Sequence, residues 1–356
     1  MSAKMKSNCL KFSYSILFLL IFQSVFAQGS KKSPKEIGLD QYAGLDAAVG
    51  KNAKALGNDM VAMLWTDTLV YKKELGAFDS RTVVPVHAAS QWLTAALVMK
   101  MVEEGKISLD DKVAQYIPIY ETYAKSYITI RHCLSHFTGI ESDDKLFSKK
   151  KFSSLEDEVS SYGKKEIQTN PGTEFRYSET GINIAGRILE IVSKKKFDML
   201  AKQKLFNPLG MRKTTFSTLD GSSVDPSNGA QSTAEEMMRF LHMLLDNGKY
   251  NGQPFLSETS MKELRTIYTT PELIKFTPKT TEGYAYALGS WVVQEGKDKQ
   301  ALVLNGASFT GTWPVVDWCR GYAFLLLTKS ASGEKKKELY VQMKEAIDEK
   351  HQRTCE

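Results

Sequence analysis

Two kinds of hydrophobic pattern divide the chain. Near both ends, short apolar runs bounded by turn residues read as strands, whereas in the middle the apolar positions recur at helical spacing. Residues 60–65 (MVAMLW) and 69–76 (LVYKKELG) flank Thr66-Asp67-Thr68, the pattern of a hairpin. Strand character returns at 288–294, 300–304, 313–317 and 322–328. A helix is predicted over 39–56. Residues 90–104 carry Trp92, Leu93, Ala96, Leu97, Met99 and Val102 without glycine or proline and stop at Gly105, which predicts a mostly buried helix. From 109 to about 273 helical patterns dominate, with turns such as Asn170-Pro171-Gly172. A last helix over 335–348 places Leu339, Met343 and Ile347 on one stripe. Strands at both ends with helices between predict one sheet assembled from distant segments, covered by the terminal helices, and an inserted helical lobe. A cleft between two such lobes is where a site is expected.

The first 27 residues change the picture at the N-terminus. Lys4, Lys6 and Lys11 form a positive region, ILFLLIF (16–22) an apolar one, and Val25-Phe26-Ala27 offers small residues for cleavage before Gln28. That is the pattern of an export signal, and its apolar run is too short to span a bilayer; a retained amphipathic anchor is the alternative. The expected organisation is a signal peptide (1–27), a linker (28–38), one domain (39–350) and a tail (351–356). Within the domain, 39–87 and 283–350 build the sheet lobe and 88–282 the helical lobe.

The chain has 356 residues, 42% hydrophobic and 25% charged, which excludes a disordered, collagen-like or polytopic membrane protein. Net charge is +6 for the whole chain, and the three lysines of the first 27 residues account for half of it. With so mild a charge and no basic stripe, nucleic acid is not an expected partner. Beyond the leader the cysteines are Cys133, Cys319 and Cys355, an odd number with no metal-type spacing. A Cys319–Cys355 pairing is open from sequence alone. No cofactor and no metal site is expected: His132 and His136 are four apart, but no third ligand is evident.

Longer phrases carry more specific information. WLTAALVMKMVEEGKISLDDKVAQYIP (92–118), ITIRHCLSHFTGI (128–140), PGTEFRYSETGINIAGRILEIVS (171–193), NPLGMRKTTF (207–216) and QSTAEEMMRFLHMLLDNGKYNGQPFLS (231–257) follow one another over nearly the whole chain beyond the leader. In these phrases the chain resembles the serine β-lactamase/penicillin-binding-protein superfamily, in its class C β-lactamase-like branch with esterases and D-aminopeptidases. The resemblance implies a β-lactamase/transpeptidase-like α/β (α+β) fold and three catalytic elements. A Ser-x-x-Lys pair opens a helix, so that the amine one turn on assists the hydroxyl. A Tyr-x-Asn turn supplies a phenol and an amide. A Lys/His-Ser/Thr-Gly strand lines the opposite wall, where its backbone helps to form an oxyanion hole.

All three elements are altered here. Thr94-Ala95 fixes the register of the first, which puts Ala88 at the nucleophile position and Gln91 at the lysine position. The second reads Tyr177-Ser178-Glu179, with a carboxyl where relatives carry an amide. The third, before Phe309-Thr310-Gly311-Thr312, reads Gly306-Ala307-Ser308 or, with a slip, Asn305-Gly306-Ala307 or Leu304-Asn305-Gly306, and has no cationic or imidazole side chain in any of these registers. Ser90 lies two residues beyond Ala88, about 200° around a helix, and is expected to point away from the site. His87 is expected to be a packed strand-to-helix histidine.

The expected function is therefore that of an exported pseudoenzyme of the serine-hydrolase fold. Tyr177, Glu179, Gly306, Ala307 and Ser308 are its expected ligand-binding residues. The competing readings are an active hydrolase using Ser90, Ser178 or Ser308, and a structural or adhesion module. Relative to the family pattern, Gln91 and Glu179 make the site about two charges more negative. A neutral or cationic ligand, such as an amine-bearing peptide or peptidoglycan fragment, is expected.

Overall fold

The computed structural model describes residues 36–141, 152–218, 222–306, 311–328 and 337–355. The expected signal segment, Ala307 and Ser308 lie outside them.

Eight strands among the described residues form one antiparallel sheet: β1 (Glu36–Ile37), β2 (Met60–Trp65), β3 (Leu69–Leu75), β4 (Ala285–Tyr286), β5 (Trp291–Glu295), β6 (Ala301–Asn305), β7 (Trp313–Asp317) and β8 (Tyr322–Thr328). Their spatial order is β1-β3-β2-β8-β7-β6-β5-β4, so the N- and C-terminal segments meet where β2 pairs with β8. Period-two alternation explains why these central strands read as continuous apolar runs. From β2, Val61 and Met63 face the helical lobe, whereas Met60, Ala62 and Leu64 face the terminal helices. In β8, Ala323, Leu325 and Leu327 take the first side and Phe324 and Leu326 the second.

Helices α1 (Ala43–Asn52) and α8 (Lys337–Asp348) cover the outer face through Leu45, Val49, Tyr340, Met343 and Ile347. On the other face lie α2 (Ala89–Glu103), α3 (Ile130–Leu134), α4 (Leu155–Gly163), α5 (Thr180–Ser193), α6 (Ala234–Leu245) and α7 (Glu258–Arg265), with shorter helical turns between them. No helix among the described residues is long and apolar enough to cross a membrane.

The structure differs from the sequence expectation in three places. The sheet begins inside the expected linker, because Glu36 and Ile37 pair with Lys73 and Lys72 at the edge of β3. Helices dominate the middle segment as expected, but short pairings that the pattern did not predict join it: Phe175–Arg176 pairs in parallel with Ile274–Phe276, and Gln231–Ser232 with Val84–Pro85. The tail is tied down, since Cys355 forms a disulfide with Cys319 and His351 bonds Tyr42 Oη at 3.1 Å.

Candidate ligand-binding cleft

Ala88 stands at the N-terminal boundary of α2, at the positive end of the helix dipole, where the N–H groups of Ala89, Ser90 and Gln91 turn back onto the Val86, His87 and Ala88 carbonyls at 3.2, 2.7 and 3.0 Å. Two strand contacts hold that end. Val86 N–H donates to Ala230 O at 2.9 Å, and Ala230 N–H donates to Ser90 Oγ at 3.0 Å. Between them His87 takes a left-handed backbone (φ 46°), a conformation seldom adopted by a residue with a side chain, and thereby turns the chain into the helix. Ala88 keeps 7% of its surface exposed; Ser90 is fully buried against Ala230. Ser90 therefore cannot meet a substrate at the helix mouth.

One turn on, Gln91 is buried with every end of its amide occupied. Its Nε2 donates to Tyr177 Oη at 2.9 Å, and its Oε1 accepts from Tyr286 Oη at 2.9 Å. Beside them, His136 Nε2 lies 3.1 Å from Gln91 Oε1 and 2.9 Å from Tyr286 Oη. The Ser178 N–H faces His136 Nδ1 at 3.4 Å, which makes Nδ1 the acceptor and puts the imidazole proton on Nε2. Burial pushes the His136 pKa down to about 3, so the ring is neutral and a feeble base. Burial likewise raises the Tyr177 phenol well above its usual range. The result is a closed, neutral network with aromatic walls: Tyr177 lies 5.1 Å from the Trp291 ring and 4.7 Å from His136.

The other side of Tyr177 is acidic. Glu179 Oε1 accepts from Asn228 Nδ2 at 2.7 Å. Its carboxyl is pushed up to about 8, by burial first and then by the nearby carboxylates of Asp225 and Glu158. At pH 7 it is therefore mostly protonated, and the site is about one charge more negative than the family pattern rather than two. Asp225 is held by Ser227 N, Ser227 Oγ and Asn228 N at 2.9, 2.6 and 3.1 Å. Burial pushes the His87 imidazole down, and the Asp225 carboxylate opposes that shift.

The opposite wall is in place at Gly306, the residue after β6. A side-chain carbon there would lie 3.2 Å from Trp92 and 3.5 Å from Ala89 Cα, so the strand end packs directly on the start of α2. The structure thus joins Gln91 to Tyr177, sets the Glu179 carboxyl within electrostatic reach of Tyr177, and packs Gly306 on the first turn of α2 beyond Ala88. Ala307 and Ser308 are the expected site residues outside the described segments. His132 does not join them; its Nδ1 accepts from Thr129 N–H at the start of its own helix. Among the described residues no group of three histidines, cysteines or carboxylates is placed to hold a metal.

Sequence reasoning missed His136 as a cleft residue, and also Tyr286, Asp225, Asn228 and Glu158. For His136 the signal was its place in the phrase at 128–140. For the others there was none, because they come from loops, a two-residue strand and α4.

A sheet lobe and a helical lobe meeting at a helix N-terminus, with a phenol across from it, define the serine-hydrolase class of architecture. The Beta-lactamase family profile matches residues 47–347, and the chain belongs to that family. Penicillin-binding protein 4 of Amycolatopsis lactamdurans is 31% identical over 140 residues, 38% of this chain and 35% of that protein. The chain spans about a third of the length of the curated relatives it matches. Among solved structures, a provisional beta-lactamase from Bacteroides dorei DSM 17855 superposes with a TM-score of 0.77 at 21% identity, covering 86% of this chain and 99% of that one. The octameric penicillin-binding protein homologue from Pyrococcus abyssi does so with 0.68 at 20% identity, covering 85% and 76%. At such identities the likeness speaks for the fold.

Proposed function

We propose that this chain is an exported, catalytically silent β-lactamase-family protein whose cleft binds a neutral or cationic ligand without covalent turnover. One observation carries the reading. Where the family places a reactive hydroxyl and a lysine, this chain has a methyl group at Ala88 and an amide at Gln91 that is hydrogen-bonded to Tyr177, Tyr286 and His136. The amide takes up no proton, and the neighbouring imidazole is too weakly basic to replace a lysine. Loss of a nucleophile alone lowers hydrolase rates by about 10⁴–10⁶.

What remains suits recognition. The Tyr177 hydroxyl accepts from Gln91 in the first turn of α2, and the Glu179 carboxyl lies within electrostatic reach of both Tyr177 and Asp225. Below about pH 8 the carboxyl is a donor; above it, a further negative charge joins those of the neighbouring carboxylates. An amine-bearing peptide or peptidoglycan fragment fits that polarity better than an anionic β-lactam. The leader at 1–27 supports export. Purified protein is expected to hydrolyse chromogenic cephalosporins and short esters no faster than buffer. Saturable turnover, abolished by a cleft substitution, would overturn the reading.

A further inference from the structure

The far end of the sheet carries a second groove of about 610 Å³, within the size range of small-molecule sites. β6 connects the two ends: Ala301 and Leu302 lie at the groove, whereas Asn305 leads to Gly306 beside α2. The groove is bounded by Asp67 from the β2–β3 turn, by His242 and Asp246 at the end of α6, by Trp318 from the β7–β8 turn, and by Arg265.

Arg265, the last residue of α7, is half-buried and held in place. Its Nε donates to Ala301 O at 3.0 Å, and its guanidinium carbon sits 4.4 Å from the centre of the Trp318 ring. Trp318 is itself fixed by Nε1–H donation to Leu244 O at 3.0 Å. Yet no carboxylate among the described residues pairs with Arg265. Glu263, two residues earlier, is already engaged by Arg131 at 2.8 Å. Burial pushes the Arg265 pKa down with no opposite charge in compensation. A guanidinium does not shed its proton, so a desolvated one needs an anion. The rim carboxylates Asp67 and Asp246 are exposed and take part in no ion pair with a described residue. They repel polyanions and attract an ammonium group.

We propose that this groove binds a small zwitterionic carboxylate, an amino acid or short peptide, whose carboxylate forks onto the Nη groups of Arg265 and whose ammonium faces Asp246 and Asp67. A purely structural Arg265 needs only the Nε bond and the stacking on Trp318. A ligand-binding Arg265 presents its remaining donors to a planar carboxylate, the geometry that suits a bidentate pair.

The test titrates glycylglycine, glycylglycinamide and N-acetylglycylglycine into the full-length protein and follows binding by calorimetry. Glycylglycine is expected to bind saturably, and amidation to weaken it at least tenfold by removing the carboxylate. Acetylation, which removes the ammonium, costs about threefold. Arg265→Met, which keeps an unbranched apolar chain on Trp318, weakens glycylglycine at least tenfold while the melting transition stays cooperative. Should that variant not fold, the acid-versus-amide comparison on the unaltered protein decides alone. No saturable binding, equal binding of acid and amide, or undiminished binding by folded Arg265→Met each overturns the proposal. None of those results bears on the cleft, which shares no residue with the groove.

Discussion

The two sides of Tyr177 depart from the family pattern in opposite ways. Toward α2, an amide stands at the lysine position, and the buried groups around it satisfy one another with no net charge. Toward Asn228, a carboxyl stands at the amide position, and burial, reinforced by the nearby carboxylates of Asp225 and Glu158, holds its proton on to about pH 8. One side has lost its acid–base chemistry and kept its packing. The other has gained a titratable group and with it a dependence on pH. The contrast shows how the packing at this position is kept with an amide: hydrogen bonds from Gln91 to Tyr177 and from Tyr286 to Gln91 tie the first turn of α2 to the facing walls.

The sharpest way to break the contrast is to remove the amide. Gln91→Leu keeps the volume but removes the amide partner of the buried Tyr177 and Tyr286 hydroxyls, while His136 Nε2 keeps only Tyr286 Oη. At about 1–3 kcal/mol per buried group left unpaired, with partial relaxation, a destabilisation of about 2–4 kcal/mol is expected from urea unfolding. A change below about 1 kcal/mol would mean that the network does not organise the cleft.

A smaller effect concerns ligand charge. Gln91→Lys with Glu179→Asn restores the family's polarity while Ala88 still blocks acylation. Non-covalent penicillin affinity is expected to rise about tenfold by calorimetry, equivalent to about 1.4 kcal/mol. The share due to Glu179→Asn should grow between pH 6.5 and 9, as the native carboxyl loses its proton. Unchanged affinity would show that cleft charge is not what excludes β-lactams.

The smallest effect is on stability against pH. The folded pKa of Glu179 lies above its unfolded value of 4.5. The native state therefore holds the proton more tightly, and this contribution is full below about pH 4.5 and lost as pH rises toward 8. Buried His136 and half-buried His87 and His132 act in the opposite sense, since their lowered values cost stability as pH falls below about 6.5. Comparison with Glu179→Gln isolates the carboxyl. Relative to the unaltered protein, the variant should gain stability from pH 5 to pH 8, by on the order of 1 kcal/mol given the partial exposure of the side chain. Parallel melting curves across that range would contradict the account.

The fold was legible where hydrophobic alternation met clear turns. β2, β7 and β8 begin and end where the pattern placed them, because both faces of each are buried and a polar turn bounds them. β1 and β4 were not legible, because two residues hold too few alternations to register. Ala88, Gln91, Tyr177 and Glu179 were named from the surrounding phrases, and the structure joins Gln91 to Tyr177 by a 2.9 Å hydrogen bond. The partners that tune them were not: Asp225 and Asn228 come from a loop with no pattern of its own. The Cys319–Cys355 bond was open in the sequence and is formed because the β7–β8 turn meets the segment that follows α8.

The central claim is that no residue in this cleft can take an acyl group. Intact-mass spectrometry after prolonged incubation with benzylpenicillin and, separately, a fluorophosphonate probe tests it directly. The account predicts an unshifted mass with both reagents. A stoichiometric adduct mapped to Ser178 or Ser308 would contradict it and identify a working nucleophile.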